Sequence, residues 1–274
     1  MKLLLVGNGY LGQAITREFL EHGWEVTTVS RSGEDAAMAA DVGDPEAVGN
    51  FPLVDFIIHC AASGRGGVEA YQHVYLDGCR NLATLFPATP ILFTSSTSVY
   101  AQTDGSVVTE ESLAIPDRET GHLLLAAEKV VLDGRGIVAR LSGIYGPGRS
   151  VILKKFLTGE AVIEEDGRRF LNQIHRDDAA RAIYHLAITK ATGVYNVSDS
   201  FPLSQLGCYE KLSEIFSRSL PLSGPRDINR KRGWTHKQVS NEKLRATGWQ
   251  PHFPSFIEAA ASVAATLICP SQNS

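Results

Sequence analysis

The stretch FTSSTSVY, residues 93–100, sets a run of serines and threonines and then a tyrosine directly behind the apolar residues PILF. Hydroxyls this dense at the end of a hydrophobic strand make a reactive centre or a binding surface, because each both donates and accepts hydrogen bonds. A second chemical stretch, GNGYLG, occupies residues 7–12. Gly7 permits a tight turn, Gly9 lets a pyrophosphate approach the backbone, and Gly12 lets the following helix pack close to its sheet. The N-terminus of that helix then faces the phosphates. Some twenty residues past the turn, a cofactor with a free ribose 2′-hydroxyl calls for Asp or Glu. The chain has Ser30-Arg31-Ser32 there. A guanidinium flanked by hydroxyls suits a 2′-phosphate better than a diol, so NADP(H) is expected over NAD(H).

The elements that must carry these groups can be read from periodicity. Lys2–Val6 reads as a short apolar strand. Leu11, Ala14, Ile15 and Phe19 recur at helical spacing, with Gln13, Arg17, Glu18 and Glu21 on the other face. Gly23 stands where a left-handed cap ends a helix, and β-branched EVTTV (25–29) reads as the next strand. VDFIIHCAAS (54–63) is a buried strand ending in small residues, and helical patterns separate it from ILFTSSTSVY. Strands alternating with helices predict an α/β fold: a Rossmann-type doubly wound parallel sheet with ligand over the strands' carboxyl ends. Ser95, Ser96 and Ser98 lie at one of those ends, beside the cofactor. The expected division is a dinucleotide-binding domain over 1–150 and a smaller α/β substrate-binding portion over 151–274, with some strands and helices exchanged between them.

Bulk properties exclude several other roles. The 274 residues are 43 % hydrophobic and 20 % charged, with a net charge of −4 and a pI near 6.1. That is a soluble globular mixture with nothing global to attract nucleic acid or anionic membrane. The basic run RDINRKR (226–232) reads as a solvated loop. No apolar stretch approaches the ~20 residues of a membrane span, and MKLLLVG reads as a first strand rather than a signal peptide. Cys60, Cys79, Cys208 and Cys269 show neither CxxC spacing nor a metal-ligand pattern, which fits free thiols in a reducing cytoplasm. No metal site is expected. There is no GxSxG elbow, HExxH or P-loop lysine, and Asp177 or Asp178 reads as a helix N-cap.

GNGYLG, DFIIHCAAS, FTSSTSVY, ARLSGIYGPGR and NQIHRDD occur in the order found in extended short-chain dehydrogenases/reductases, the NAD(P)-dependent epimerase/dehydratase family. The resemblance covers roughly residues 1 to 262, and SSTSVY, LNQIH and SNEKLRATGW are most similar to an atypical YeeZ-like branch of it. It implies that Gly7, Asn8, Gly9, Tyr10, Leu11 and Gly12 hold a pyrophosphate and that Arg31 and Ser32 meet the 2′-phosphate. It places Asp41 and Val42 by the adenine, Ala61 and Ala62 by the ribose and pyrophosphate, and Ser95 beside the cofactor. Ser96 would hydrogen-bond a reacting hydroxyl. The family's general acid is a tyrosine of a YxxxK pair, followed by a glutamate. Aligned on Glu128, the tyrosine position is Thr120 and the lysine position is Leu124. Tyr75 stands where the family often places an asparagine.

A threonine does not ionise near neutral pH and a leucine carries no charge, so the family's standard proton transfer is unavailable. Tyr100 and His122 are the nearest substitutes as an acid, whereas Tyr145 and His59 read as packing or loop-shaping residues. Ser98, Thr120, Tyr145 and Asn172 are the substrate-side candidates. Leu171 replaces the arginine that nucleotide-sugar enzymes use on a diphosphate, and Arg149, Arg169 or the RDINRKR loop could supply phosphate contacts instead. The favoured reading is an oxidoreductase- or epimerase-like NADP(H)-binding protein acting on an unidentified small molecule through a non-standard site, with NAD(H) as the alternative cofactor. A non-catalytic NADP(H) sensor is the second reading, and a nucleotide-sugar epimerase or dehydratase the third. The resemblance also implies a homodimer.

Overall fold

The structure, a computed structural model, describes residues 1–64, 66–226 and 234–268. Cys269 and the basic run beyond Arg226 lie outside the described residues. Seven strands form one sheet: β1 (Lys2–Val6), β2 (Glu25–Ser30), β3 (Met38–Ala39), β4 (Phe56–His59), β5 (Ile91–Ser96), β6 (Ile137–Leu141) and β7 (Gly193–Val197). Their spatial order is β7-β6-β5-β4-β1-β2-β3, and every pairing is parallel. The order reverses between β1 and β4. That is the switch point of a doubly wound sheet, over which a crevice opens at the strands' carboxyl ends.

A parallel sheet is covered on both faces, so its strands are apolar throughout. In β1, Leu3 and Leu5 belong to one core cluster and Leu4 and Val6 to the other. Helix α1 (Tyr10–Glu21) covers the first face with Ile15 and Phe19. The second face is covered by α2 (Gly78–Leu85) and α3 (Glu119–Asp133), through Leu82, Ala127 and Val131. Gly23, at φ +74°, ends α1: its N–H reaches Leu20 O and the Trp24 N–H reaches Phe19 O, a pairing that closes the last turn.

The later chain does not separate cleanly at residue 150. Helix α4 (Arg176–Ile188) packs against α1 on the first face, and β7 extends the main sheet. What remains builds a third cluster in which Leu153, Phe156, Tyr209, Leu212 and Phe256 surround Tyr145. Two small parallel ladders lean on the main body, Gly143–Tyr145 with Gln173–His175 and Val107–Val108 with Gln238–Val239. The expected cap of α4 differs from the observed one. His175 caps it, its Nδ1 accepting from the Asp177 N–H at 3.3 Å, while Asp178 lies inside the first turn and accepts the N–H groups of His252 and Phe253 at 2.8 and 2.9 Å. Among the described residues no helix is long and apolar enough to cross a membrane, and no group of His, Cys, Asp and Glu is arranged to hold a metal ion.

Candidate functional site

A cleft of about 430 Å³ opens over the switch point, and the glycine turn forms its floor. Gly7 sits at φ +105°, and a Cβ there would come within 2.3 Å of Ala61 N. A Cβ on Gly12 would come within 2.0 Å of Gly7 O. Both glycines are therefore fixed by close approach of the backbone. Gly9 differs, because a Cβ built there meets nothing within 4 Å. Its open side is a cradle that a side chain would fill. The first turn of α1 holds no acidic residue and no side chain caps it, so its N–H groups are left to an anion. A dinucleotide pyrophosphate fits this set of donors.

Asn8, Tyr10 and Leu11 line the cleft with the glycines. Asn8 braces the turn: its Oδ1 accepts from Thr16 Oγ1 at 3.2 Å and its Nδ2 donates to Asp35 O. The Tyr10 hydroxyl donates to Pro147 O at 3.1 Å, and the Arg149 guanidinium lies 5.0 Å above the Tyr10 ring. Arg149 itself lines the cleft, so this cation faces the pyrophosphate end and not a separate substrate pocket.

At the outer end Arg31 lines the cleft beyond β2, and among the described residues no carboxylate forms an ion pair with it. Asp41 and Val42 line the same end. The Asp41 carboxylate accepts from the Gly43 N–H at 2.9 Å and from His73 Nε2 at 3.0 Å. Burial alone would raise its pKa, but these bonds and the nearby positive charges outweigh it and hold the carboxyl below its ordinary range. Ser32 is placed elsewhere. Its hydroxyl accepts the Glu34 N–H at 3.2 Å and shapes the turn after β2, and the residue does not line the cleft.

Ala61, Ala62, Ser95, Ser96 and Ser98 line the inner end. The hydroxyl run is not uniform. Ser95 points its hydroxyl at Glu128 Oε1, 2.5 Å away and buried. Ser96 lines the cleft and its hydroxyl oxygen accepts the Ser98 N–H at 3.2 Å. Tyr100 does not reach the cleft: it is fully buried, receives Arg140 at 2.8 Å and donates to Asn196 at 3.0 Å. Burial pushes its phenol pKa up, with Arg140 pulling the other way. The expectation of Tyr100 as an acid at the site fails on this placement.

A second cavity of about 310 Å³ adjoins the first, and the two share Tyr71, Ser98 and Leu124. Thr120 lines this second cavity, and Leu124, at the family's lysine position, forms an apolar wall between the two. Tyr145 and Asn172 line neither cavity. Tyr145 is enclosed by His175 and Phe256, with burial pushing its phenol pKa up. Asn172 spans the backbone of Lys237 and Val239 at 2.9 and 2.7 Å and holds that segment to the body. Both sit in sequence motifs that fold next to the site but turn their side chains away from it.

Two residues that line the cleft were not legible as site residues. Tyr71 and Tyr75, four apart, belong to a segment whose turns widen to a π-helix over Gln72–Asp77, a form frequent at functional sites. His59, on β4, is wholly buried, and its Nε2 bonds Val74 O at 2.9 Å within that widened turn. Burial lowers the His59 pKa to about 4, so the ring is neutral. The sequence signals were the spacing of the two tyrosines and a histidine inside an otherwise apolar strand.

The profile of the NAD dependent epimerase/dehydratase family matches residues 3–198. Protein YeeZ of Escherichia coli strain K12 is 30 % identical over 217 residues, which span 72 % of this chain and 77 % of that one. Among solved structures, a Methylobacillus flagellatus protein assigned as an NAD-dependent epimerase/dehydratase superposes with a TM-score of 0.79 at 27 % identity, covering 96 % of this chain and 97 % of its own. The human epimerase family protein SDR39U1 (isoform 2), solved with NADPH, has a TM-score of 0.80 at 20 % identity over 97 % of this chain and all of that one, a likeness of fold.

Proposed function

The chain belongs to the NAD dependent epimerase/dehydratase family, and from that premise we propose that it binds NADP(H) in the cleft and uses it in redox chemistry on a small molecule. The observation that carries the cofactor preference is Arg31, a cation lining the outer end of the cleft where no acidic side chain closes β2. A guanidinium meets a phosphate with two parallel hydrogen bonds and gains little from a neutral diol. In this reading the N–H groups of α1 and the Arg149 guanidinium hold the pyrophosphate, and Asp41 borders the adenine. Ser96 donates to the reacting oxygen. The nicotinamide, when bound, supplies or accepts the hydride.

Arg31→Asp tests the preference. Affinity for NADPH, read by fluorescence titration, should fall tenfold or more while that for NADH is spared. Equal losses for the two cofactors would overturn the 2′-phosphate assignment. A second reading, a cofactor sensor without turnover, draws its support from Thr120 and Leu124. On that reading the bound cofactor protects the chain from limited proteolysis and no carbonyl compound is reduced.

A further inference from the structure

The Tyr–Lys pair is missing from α3, yet the inner end of the cleft does not lack a phenol. Among the titratable groups that line the cleft, Tyr10 is tied to Pro147 O at the pyrophosphate end, and Asp41 is committed to His73 and Gly43 at the adenine end. Burial pushes the Cys60 thiol up to about 12, which removes it from proton exchange near neutrality. Tyr75 remains, its ring edge to face with that of Tyr71 and the centroids 4.9 Å apart.

Tyr75 is held in an unusual way. Its phenol oxygen accepts the Ser63 backbone N–H at 3.2 Å and faces the Ser63 hydroxyl at 3.5 Å. Among the described residues nothing accepts the phenol's own proton, and the side chain lines the cleft together with Ser96 and Ser142. The oxygen therefore sits in a cradle of donors while its hydrogen is left for a ligand. A second bond fixes the aim: His59 Nε2 donates to the Val74 carbonyl at 2.9 Å within the π-turn. One bond comes from the last residue of β4 and the other from the loop after it, so this strand and its loop together set where Tyr75 points.

We propose that Tyr75 is the proton donor that replaces the absent Tyr–Lys pair, and that the substrate is a small apolar aldehyde or ketone seated between Tyr75, Ser96 and the second cavity. This rests on the NADP(H)-dependent reading above. The carbonyl carbon receives the hydride from the nicotinamide, and its π electrons move to the oxygen. That oxygen takes the Tyr75 proton as the phenol O–H bond breaks, and Ser96 donates to the same oxygen. Charge left on the phenol oxygen is met by the Ser63 N–H and hydroxyl, donors already in place before the reaction. Water entering the cleft returns the proton. The carbonyl is reduced to an alcohol and NADPH is oxidised to NADP⁺. The substrate class is drawn from the second cavity, where Val68, Tyr71, Pro116 and Leu124 share the lining with Ser98, Thr120 and the charged run of residues 117–119. An apolar group is accommodated there.

The test uses the full chain with NADPH and a panel running from butanal to benzaldehyde and acetophenone. Tyr75→Phe should keep NADPH affinity within about twofold and lower kcat by ~10²- to 10⁴-fold, the usual contribution of a positioned acid. A readout independent of turnover is ¹³C-tyrosine NMR of the dead-end mixture of NADP⁺ with benzaldehyde. The Tyr75 ring-carbon resonance, identified by its loss in Tyr75→Phe, should shift when the aldehyde is added to the NADP⁺ complex and stay still without NADP⁺. The proposal is overturned if Tyr75→Phe turns over like the wild type, if Tyr71→Phe alone removes turnover, or if the resonance does not respond. It is overturned likewise if NADPH binds tightly and no carbonyl is reduced, an outcome that leaves cofactor binding standing. Absence of NADPH binding to the wild type would remove the underlying reading as well.

Discussion

Ser95 and Ser96 are neighbours in sequence and serve different purposes. Ser95 faces Glu128, whose carboxylate also takes the Arg140 guanidinium through bonds of 2.6 to 3.2 Å. Burial works against the Arg140 charge, but Glu128 overrides it and holds the guanidinium pKa above its ordinary value. Arg140 passes on to Tyr100, and Tyr100 to Asn196. Ser95 and Tyr100, two members of the hydroxyl run, thus belong to a buried polar network in which each member satisfies the next. Removing one partner of such an ion pair strands the other. Arg140→Leu should cost about 3–5 kcal/mol in urea unfolding. The double variant Glu128→Leu/Arg140→Leu should cost less than the two single changes added together, and simple additivity would show that the pair is not coupled. The alternation of serine with threonine in SSTS did not reveal which hydroxyls face inward, because the strand ends at Ser96 and a tight turn over Thr97–Val99 redirects the side chains beyond it.

At the scale of the element, the informative piece is the widened turn of Gln72–Asp77. A π-turn leaves backbone carbonyls poorly paired, and here His59 serves one of them from the neighbouring strand. The ring does so neutral and out of water. Because burial lowers the folded-state pKa from 6.5 to about 4, the unfolded chain binds the proton first. The stability held at neutral pH is complete above about pH 6.5 and is lost as the pH falls toward 4, by up to about 3 kcal/mol. His59→Gln keeps a donor for Val74 O and does not titrate, so its urea midpoint should vary less between pH 6.5 and 4 than that of the wild type. Equal slopes for the two would show that another group is responsible. The strands were legible as apolar or β-branched runs, and α1 by its helical period and the glycine that ends it. The π-turn was not, since HVYLD reads as ordinary helix and only contact with β4 decides its pitch.

Across the whole molecule, the later chain returns to brace the cofactor half. Helix α4 covers α1, β7 extends the sheet, and Asp178 at the start of α4 grips the backbone at 252–253 while pairing with Arg181 at 3.1 Å. The carboxylate is 1 % exposed, so its loss leaves two backbone donors without partners in a dry site. Asp178→Ala should destabilise by about 3 kcal/mol and speed hydrogen exchange at His252 and Phe253. Unchanged exchange at those two amides would mean that Asp178 is not the latch. A boundary at residue 150 tracks the order of motifs along the chain, whereas the structure interleaves the two parts.

By itself the sequence determined the doubly wound sheet, the glycine turn and the position of Arg31 at the end of β2. These are local matters, since a strand's apolar run, a helix's period and a glycine's freedom are properties of a few adjacent residues. The sequence also revealed the loss at Thr120 and Leu124, because that loss is a matter of residue type at a fixed spacing. Only the tertiary structure decided which hydroxyls face the cleft, that Tyr100 and Tyr145 are enclosed, that Arg149 lies over Tyr10, and that Tyr75, held by Ser63, lines the cleft with Ser96. Each of these depends on partners far apart in the chain: Asn196 for Tyr100, Phe256 for Tyr145, Tyr10 for Arg149 and Ser63 for Tyr75. Side-chain direction is fixed by such partners, and no window of sequence contains both members of the pair.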